Sequence, residues 1–294
     1  MRARTIAFAA LLLAAGAAPA WAESAAELYY ERAVMSAAGA RCNLFGPDIA
    51  AALASSQVQA RNAALRAGTP SADLDAALAR ASARAGAAAC NGQDVKTAGD
   101  RVRTAFKAYA AMPSMTFPGA NAGWKAVRNT SVLNSAWSLS QSAVAGQDRM
   151  IFGLSGKGGE NYVTAVAAFA DGRTPYVARL VMRDPSRAPQ PYISNLTGSA
   201  PLYARLPPAQ GQRTVLAASR DAAEVALLPP GAKQAVAFHF APQAISALAA
   251  LDPREAVAVD FVFAGPQGGD DVRRAYFEVG DFSAGVAFLR VARH

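Results

Sequence analysis

The chain has 294 residues, with 29 lysines and arginines against 21 aspartates and glutamates for a net charge of +8, and only two histidines and two cysteines. The basic excess is spread along the sequence without a Lys/Arg run, which argues against nucleic-acid binding; it reads as solubility, with a mild attraction to anionic surfaces as the alternative. So few histidines and cysteines leave a zinc site without a ligand set, and no cofactor-binding fingerprint stands in the sequence.

Residues 1–22 read as a secretory signal peptide. Arg2 and Arg4 form a basic start, Ile6 to Ala18 an apolar run, Pro19 a break, and Ala20-Trp21-Ala22 the small-residue cleavage site. The apolar run is shorter than the ~20 residues a membrane span needs. No later stretch is long and apolar enough either, so the chain is expected not to span a membrane. No cysteine follows the cleavage point, which argues against a lipid anchor. The alanine- and arginine-rich leader points to the periplasm of a Gram-negative bacterium. Cys42 and Cys90 both lie in the exported part, 48 positions apart, and read as a disulfide rather than a C-x-x-C redox pair. Closing a loop of about fifty residues stabilises a fold by ~3–4 kcal/mol on the chain-entropy account. Asn129-Thr130-Ser131 and Asn195-Leu196-Thr197 would be glycosylation sequons in a eukaryote and read here as accidental.

Residues 23–112 form a helical domain in this reading. The first helix runs from about Ser24 to Arg41 with Leu28, Met35 and Cys42 along one stripe. Gly46-Pro47 opens a second, with Ile49, Leu53, Ala60 and Ala64 inward and Gly68 at its end. Thr69-Pro70 starts a third, carrying Leu74, Leu78 and Ala81 and ending near Gly86. Val95, Val102, Phe106 and Tyr109 mark a fourth, stopped by Pro113. Four short amphipathic helices suggest a bundle, with the disulfide tying the end of the first to the entry of the fourth.

Residues 113–123 read as a linker by composition, and 124–294 as a β-rich domain. Strands are expected at Ala136 to Ser142, Arg149 to Leu154 and Asn161 to Phe169, the last two joined by the glycine-rich Ser155 to Glu160. Asp171-Gly172-Arg173 reads as a hairpin turn into Pro175 to Arg183, and a short strand is expected near Leu202 to Arg205 inside a proline-rich stretch. Thr214 to Ser219, Gln234 to Phe240, Ala256 to Phe263 and Arg273 to Val279 complete the strands. Helices are expected at Pro242 to Leu251 and near Phe282 to Leu289. The fold class is therefore α+β: a disulfide-linked helical bundle, then a mainly antiparallel β domain with one or two covering helices.

Little in the sequence declares chemistry. His239 lies in an alternating strand and reads as a satisfied sheet histidine; His294 is the last residue. Gly153-Leu154-Ser155-Gly156-Lys157 lacks both the glycine of a nucleophile elbow and the spacing of a phosphate loop, leaving a turn. A triad of Ser155, His239 and an aspartate is the alternative that space alone could assemble. Gly268-Gly269-Asp270-Asp271 reads as a solvated turn. Glu160, Asp260, Glu278 and Asp281 are nominal members of a hydrolase carboxylate pair, with nothing to single one out. The one positive feature is a concentration of arginines at Arg173, Arg179, Arg183 and Arg187, with Tyr176 and Tyr192 nearby. Arg179 and Arg183 share a strand face and could grip a carboxylate or phosphate; a solvent-exposed face made soluble by arginine is the alternative.

The tail from Val236 to Leu289 runs through Ala256-Val257-Ala258-Val259-Asp260-Phe261 and Tyr276-Phe277-Glu278-Val279-Gly280-Asp281-Phe282 into Phe288-Leu289. In that order of strand, helix, strands and helix it resembles the carboxy-terminal module of the invasion-associated locus B family. The resemblance implies an exported β module without known catalysis, and carries over no functional residue. The expectation is an exported periplasmic protein, non-enzymatic, that binds an anionic envelope component or a periplasmic protein. A hydrolase of envelope polymers is the alternative.

Overall fold

The computed structural model describes residues 24–128, 131–193 and 200–291. The expected signal peptide, Asn129 and Asn195 of the two sequons, and His294 lie outside the described residues.

The helical half begins with a capping box. Ser24 Oγ accepts the Glu27 N–H, and the Glu27 carboxylate accepts the Ser24 N–H, which satisfies two of the free donors at the start of α1 (Ala25–Cys42). Helices α2 (Pro47–Arg66), α3 (Ser71–Ala87) and α4 (Gln93–Ala111) follow close to their expected bounds. The fully buried positions of α1 are Tyr29, Ala33, Ala38 and Gly39; the expected Leu28, Met35 and Cys42 are half-buried, Leu28 packing against the same core. A Cβ on Gly39 would come within 2.5 Å of the Phe45 ring, so glycine at this position lets Phe45 close over the end of the helix. Leu78 on α3 is exposed, while Leu74, Ala77 and Ala81 are buried. Cys42 and Cys90 are bonded, with Cα atoms 5.4 Å apart, joining the end of α1 to the turn before α4.

The second half is a ten-stranded antiparallel sheet. Its strands are β1 (Ser114–Phe117), β2 (Trp124–Val127), β3 (Ala136–Ala145), β4 (Asp148–Gly156), β5 (Tyr162–Ala168), β6 (Val177–Arg183), β7 (Gln212–Ala222), β8 (Val236–Phe240), β9 (Ala256–Ala264) and β10 (Asp270–Glu278). Their order is β1-β2-β3-β4-β5-β8-β7-β6-β9-β10. Three expectations are corrected. The stretch read as a linker carries β1, paired with β2 from Ser114↔Val127 to Phe117↔Trp124; at four residues each, these strands are too short to announce themselves by alternation. The Asp171–Arg173 turn does not make a hairpin, since β5 pairs with β4 and β8 while β6 pairs with β7 and β9. Leu202–Arg205 is a 3-10 turn, not a strand.

From β3 onward the sheet curls until β10 lies beside β3. The closure uses a side chain instead of a ladder: the Glu278 N–H donates to Gln141 Oε1 at 2.7 Å, and Gln141 Nε2 donates to the Glu278 carbonyl at 3.2 Å. Inside are Phe152, Phe238, Phe261 and Phe277, each buried, and α6 (Phe282–Arg290) adds Phe282 and Phe288 to the same core. Each such ring contributes about 2–3 kcal/mol by leaving water. A shorter helix, α5 (Gln243–Ala249), adds Ala244 and Leu248.

The two halves meet at α6. Residues Ser55, Asn62 and Arg66 form one stripe of α2 and bond to Ala284 O, Ser283 Oγ and Asp281 respectively. Arg128, after β2, donates to the carbonyls of Met112 at 2.9 Å and Phe288 at 3.1 Å, closing the ends of α4 and α6 with one cation. No helix among the described residues is long and apolar enough to cross a membrane.

Candidate functional site

The four arginines singled out by sequence do not converge on an open face. Arg183 is buried in a two-point bond to Glu255 (2.8 and 2.9 Å), and its third nitrogen donates to the Ala188 and Pro189 carbonyls. Arg187 lies next to Asp184 at 3.5 Å. At the other end of β6, Arg173 bonds Asp271 at 2.6 Å and covers the Phe263 ring, while Arg179 bonds Asp270 at 3.0 Å. Tyr176 donates to Asp270 as well, and this bond to a carboxylate raises the phenol's pKa above its ordinary value. The Gly268–Asp271 turn is thus clasped by Arg173, Tyr176 and Arg179. Each of the four guanidinium groups already faces a carboxylate of the same chain. Tyr192 is exposed, away from any such clasp.

The nominal acids are also committed. Glu278 is fully buried and accepts the main-chain N–H groups of Ala120, Asn121 and Ala122 at 2.7, 2.7 and 3.0 Å. A Cβ on Gly119 would come within 2.0 Å of Ala122 O and 2.8 Å of Glu278, so this cradle requires glycine. Asp281 is paired with Arg66 at 2.6 Å, and Asp260 with Arg274 at 2.7 Å. Glu160 accepts from the Tyr162 hydroxyl at 3.1 Å. No two of them face each other across a cavity among the described residues.

Among the described residues, a site that joins unspent bonding capacity to a cavity lies at His239. Its register places it between Thr164 of β5 and Ser219 of β7, in one cross-strand row. β7 slips register between Ala217 and Ser219, next to the Ser219↔His239 pair. A cavity of about 380 Å³ lies here, between the β4–β5 turn, β7 and the end of β8, with Lys157, Glu160, Tyr162, Ser219, His239 and Pro242 in its lining. Behind the imidazole runs a chain of hydroxyls. Ser155 Oγ donates to Thr164 Oγ1 at 2.8 Å, Thr164 Oγ1 lies 3.0 Å from His239 Nδ1, and it donates to the Tyr162 carbonyl at 3.2 Å. Thr164 has one proton: donated to that carbonyl, it leaves Nδ1 to carry the ring proton and Nε2 as a bare acceptor; donated to Nδ1, it gives the opposite tautomer. The Asp221 carboxylate lies 4.0 Å from Nε2, beyond hydrogen-bond reach.

Burial lowers the His239 pKa below its usual 6.5, against the opposing pull of Asp221 and Glu224, so the ring favours its neutral form. Glu224 is itself held below the usual carboxylate range by bonds from the Ser135 hydroxyl and N–H. Ser155 and His239 are therefore neighbours, but not as a triad. Thr164 stands between them, Ser155 is buried with its proton donated away, and the aspartate lies on the wrong nitrogen.

Sequence reasoning missed Thr164, Tyr162 and Asp221. The alternation of β5 puts Tyr162 and Thr164 on one face, but only the adjacency of β5 and β8 shows that the face is shared with His239.

No protein-family model matches this chain, and no curated protein or solved structure matches it.

Proposed function

We propose that the chain is an exported binding protein of the cell envelope, working in the periplasm after removal of residues 1–22, and that it holds a small ligand over His239. The observation that carries this reading is the imidazole itself. Its Nδ1 side is fixed by Thr164, its Nε2 side faces a 380 Å³ cavity, and no described residue lies within hydrogen-bond distance of Nε2. A half-buried acceptor left open in a cavity favours a ligand that donates to it. Tyr162, Phe240 and Pro242 offer an apolar wall for the rest of such a molecule, and Lys157 at the rim suits an acidic group. The disulfide is compatible with an oxidising compartment.

The carboxylate-pair hydrolase gains no comparable support, because each nominal acid already accepts a bond from within the chain. Binding without catalysis also fits the module that the tail resembles.

Native mass spectrometry of protein recovered from the periplasm tests the proposal. A bound small molecule is expected on the wild type and lost from His239→Phe, which keeps the ring volume but removes the acceptor. Equal occupancy in both proteins would rule out this site.

A further inference from the structure

The closure between β3 and β10 leaves a second, independent site. Strand β2 pairs with β3 only at Lys125↔Ser140 and Ala126↔Leu139. Beyond Gln141, the edge of β3 that faces away from β4 pairs with no strand among the described residues. Among the described residues the outer edge of β10 has no ladder either, since β10 pairs with β9, and the Leu202–Arg205 turn lies against the strand.

The directions of the main-chain groups follow from the pairings. Glu278 turns its N–H and C=O outward to Gln141, while the Val279 N–H donates inward to the Glu255 carbonyl. Alternation along an antiparallel strand then points the N–H and C=O of Tyr276, Arg274 and Val272 outward too. On β3, the two-residue turn after Ala145 makes Ala145↔Asp148 a hydrogen-bonded pair, so Ser142 and Val144 turn theirs away from β4. Among the described residues, none of these five main chains has a partner on that side. A cavity of about 330 Å³ lies between the two edges, with Tyr203 at its outer lip.

We infer that this seam accepts an extended peptide segment of another protein as an added strand. An extended main chain supplies the alternating donors and acceptors that these unpaired edges lack. The slot is bounded by the Gln141–Glu278 clasp at one end and the Arg273–Asp148 ion pair, 3.2 Å, at the other. Ser142 to Ala145 spans about four residues at ~3.4 Å each. The small side chains of Ala143 and Ala275 line the cavity together with Gln141, Ala122 and Leu202, and the exposed Val144 and Tyr203 lie beside Tyr276 in the same lining. The fitting guest therefore bears apolar side chains at alternate positions. Its edge is also undefended: Arg274 is drawn back into a two-point bond with Asp260, so its charge does not block approach. The seam shares no lining residue with the His239 cavity.

Selection of a displayed random heptapeptide library on the disulfide-bonded protein tests this inference. Peptides with alternating apolar residues are expected. The tightest, made synthetically, should slow amide exchange at Ser142, Val144, Arg274 and Tyr276. Val144→Pro removes one N–H that points into the seam and none that bonds β4, so it should weaken binding about tenfold while Val144→Thr does not. Thermal melts of both variants show whether they fold, and the exchange pattern of the wild type stands without them. No selected peptide, protection confined to other strands, equal affinity for Val144→Pro, or wild-type protein pairing with itself through this edge would each overturn the inference.

Discussion

The two halves of the molecule reach order by different means. The β half buries a cluster of aromatic rings, with Trp124, Phe152, Phe277, Phe282 and Phe288 all close to zero exposure. The helical half has a separate core of Tyr29, Ala60, Ala64, Leu65, Leu74 and Ala77, in which half of the members are alanine. Alanine packs helices closely but removes little apolar surface from water, so the area term that carries the sheet is small here. What replaces it is covalent and polar: the Cys42–Cys90 bond, the Arg66–Asp281 pair and the Ser55···Tyr109 bond of 2.7 Å. A helical unit of this kind depends on its cross-link and its docking, whereas the curled sheet depends on burial.

The largest break in that contrast is expected from Asp281→Ala. It leaves Arg66 in a largely buried position without its partner, a change that costs about 3–5 kcal/mol. Urea denaturation should record it, and Asp281→Ala with Arg66→Met together should recover part of the loss. Next is the disulfide. Cys42→Ser with Cys90→Ser should remove about 3–4 kcal/mol from the helical half. Amide exchange would show faster opening of α1 and α3 with the central strands unchanged; equal acceleration in both halves would refute a separate support for the bundle. Smaller again is Tyr109→Phe, which strips the hydroxyl from a buried bond to Ser55 and should cost about 1 kcal/mol.

The smallest effect concerns pH. The folded state holds His239 below the unfolded value near 6.5, so the unfolded chain binds more protons between the two pKa values. The stability that His239 contributes is complete above pH 6.5 and is lost as the pH falls toward the folded pKa. Melting temperatures taken from pH 7.5 to 5 should decline more in the wild type than in His239→Phe.

Much of the architecture was legible because local punctuation was strong. Pro47, Pro70 and Pro113 stand at or beside helix ends, and Cys42 and Cys90 are bonded as their spacing and number suggested. The strands from β3 to β10 alternate or run apolar over five to eleven residues, which sequence can register. What sequence could not register was adjacency. β8 inserts between β5 and β7, and that single insertion places Thr164 against His239. The arginines show the same gap from the other side: their strand face was readable, but the acids Glu255 and Asp270 that engage Arg183 and Arg179 come from strand ends far along the chain.

The central claim is an open acceptor at His239 Nε2, and nitrogen-15 NMR of the imidazole tests it most directly. At pH 7.5 the spectrum should show a neutral ring protonated on Nδ1, with Nε2 at the shift of an unprotonated nitrogen that accepts no bond from the protein. A ring protonated on Nε2, or one carrying both protons at that pH, would contradict the account.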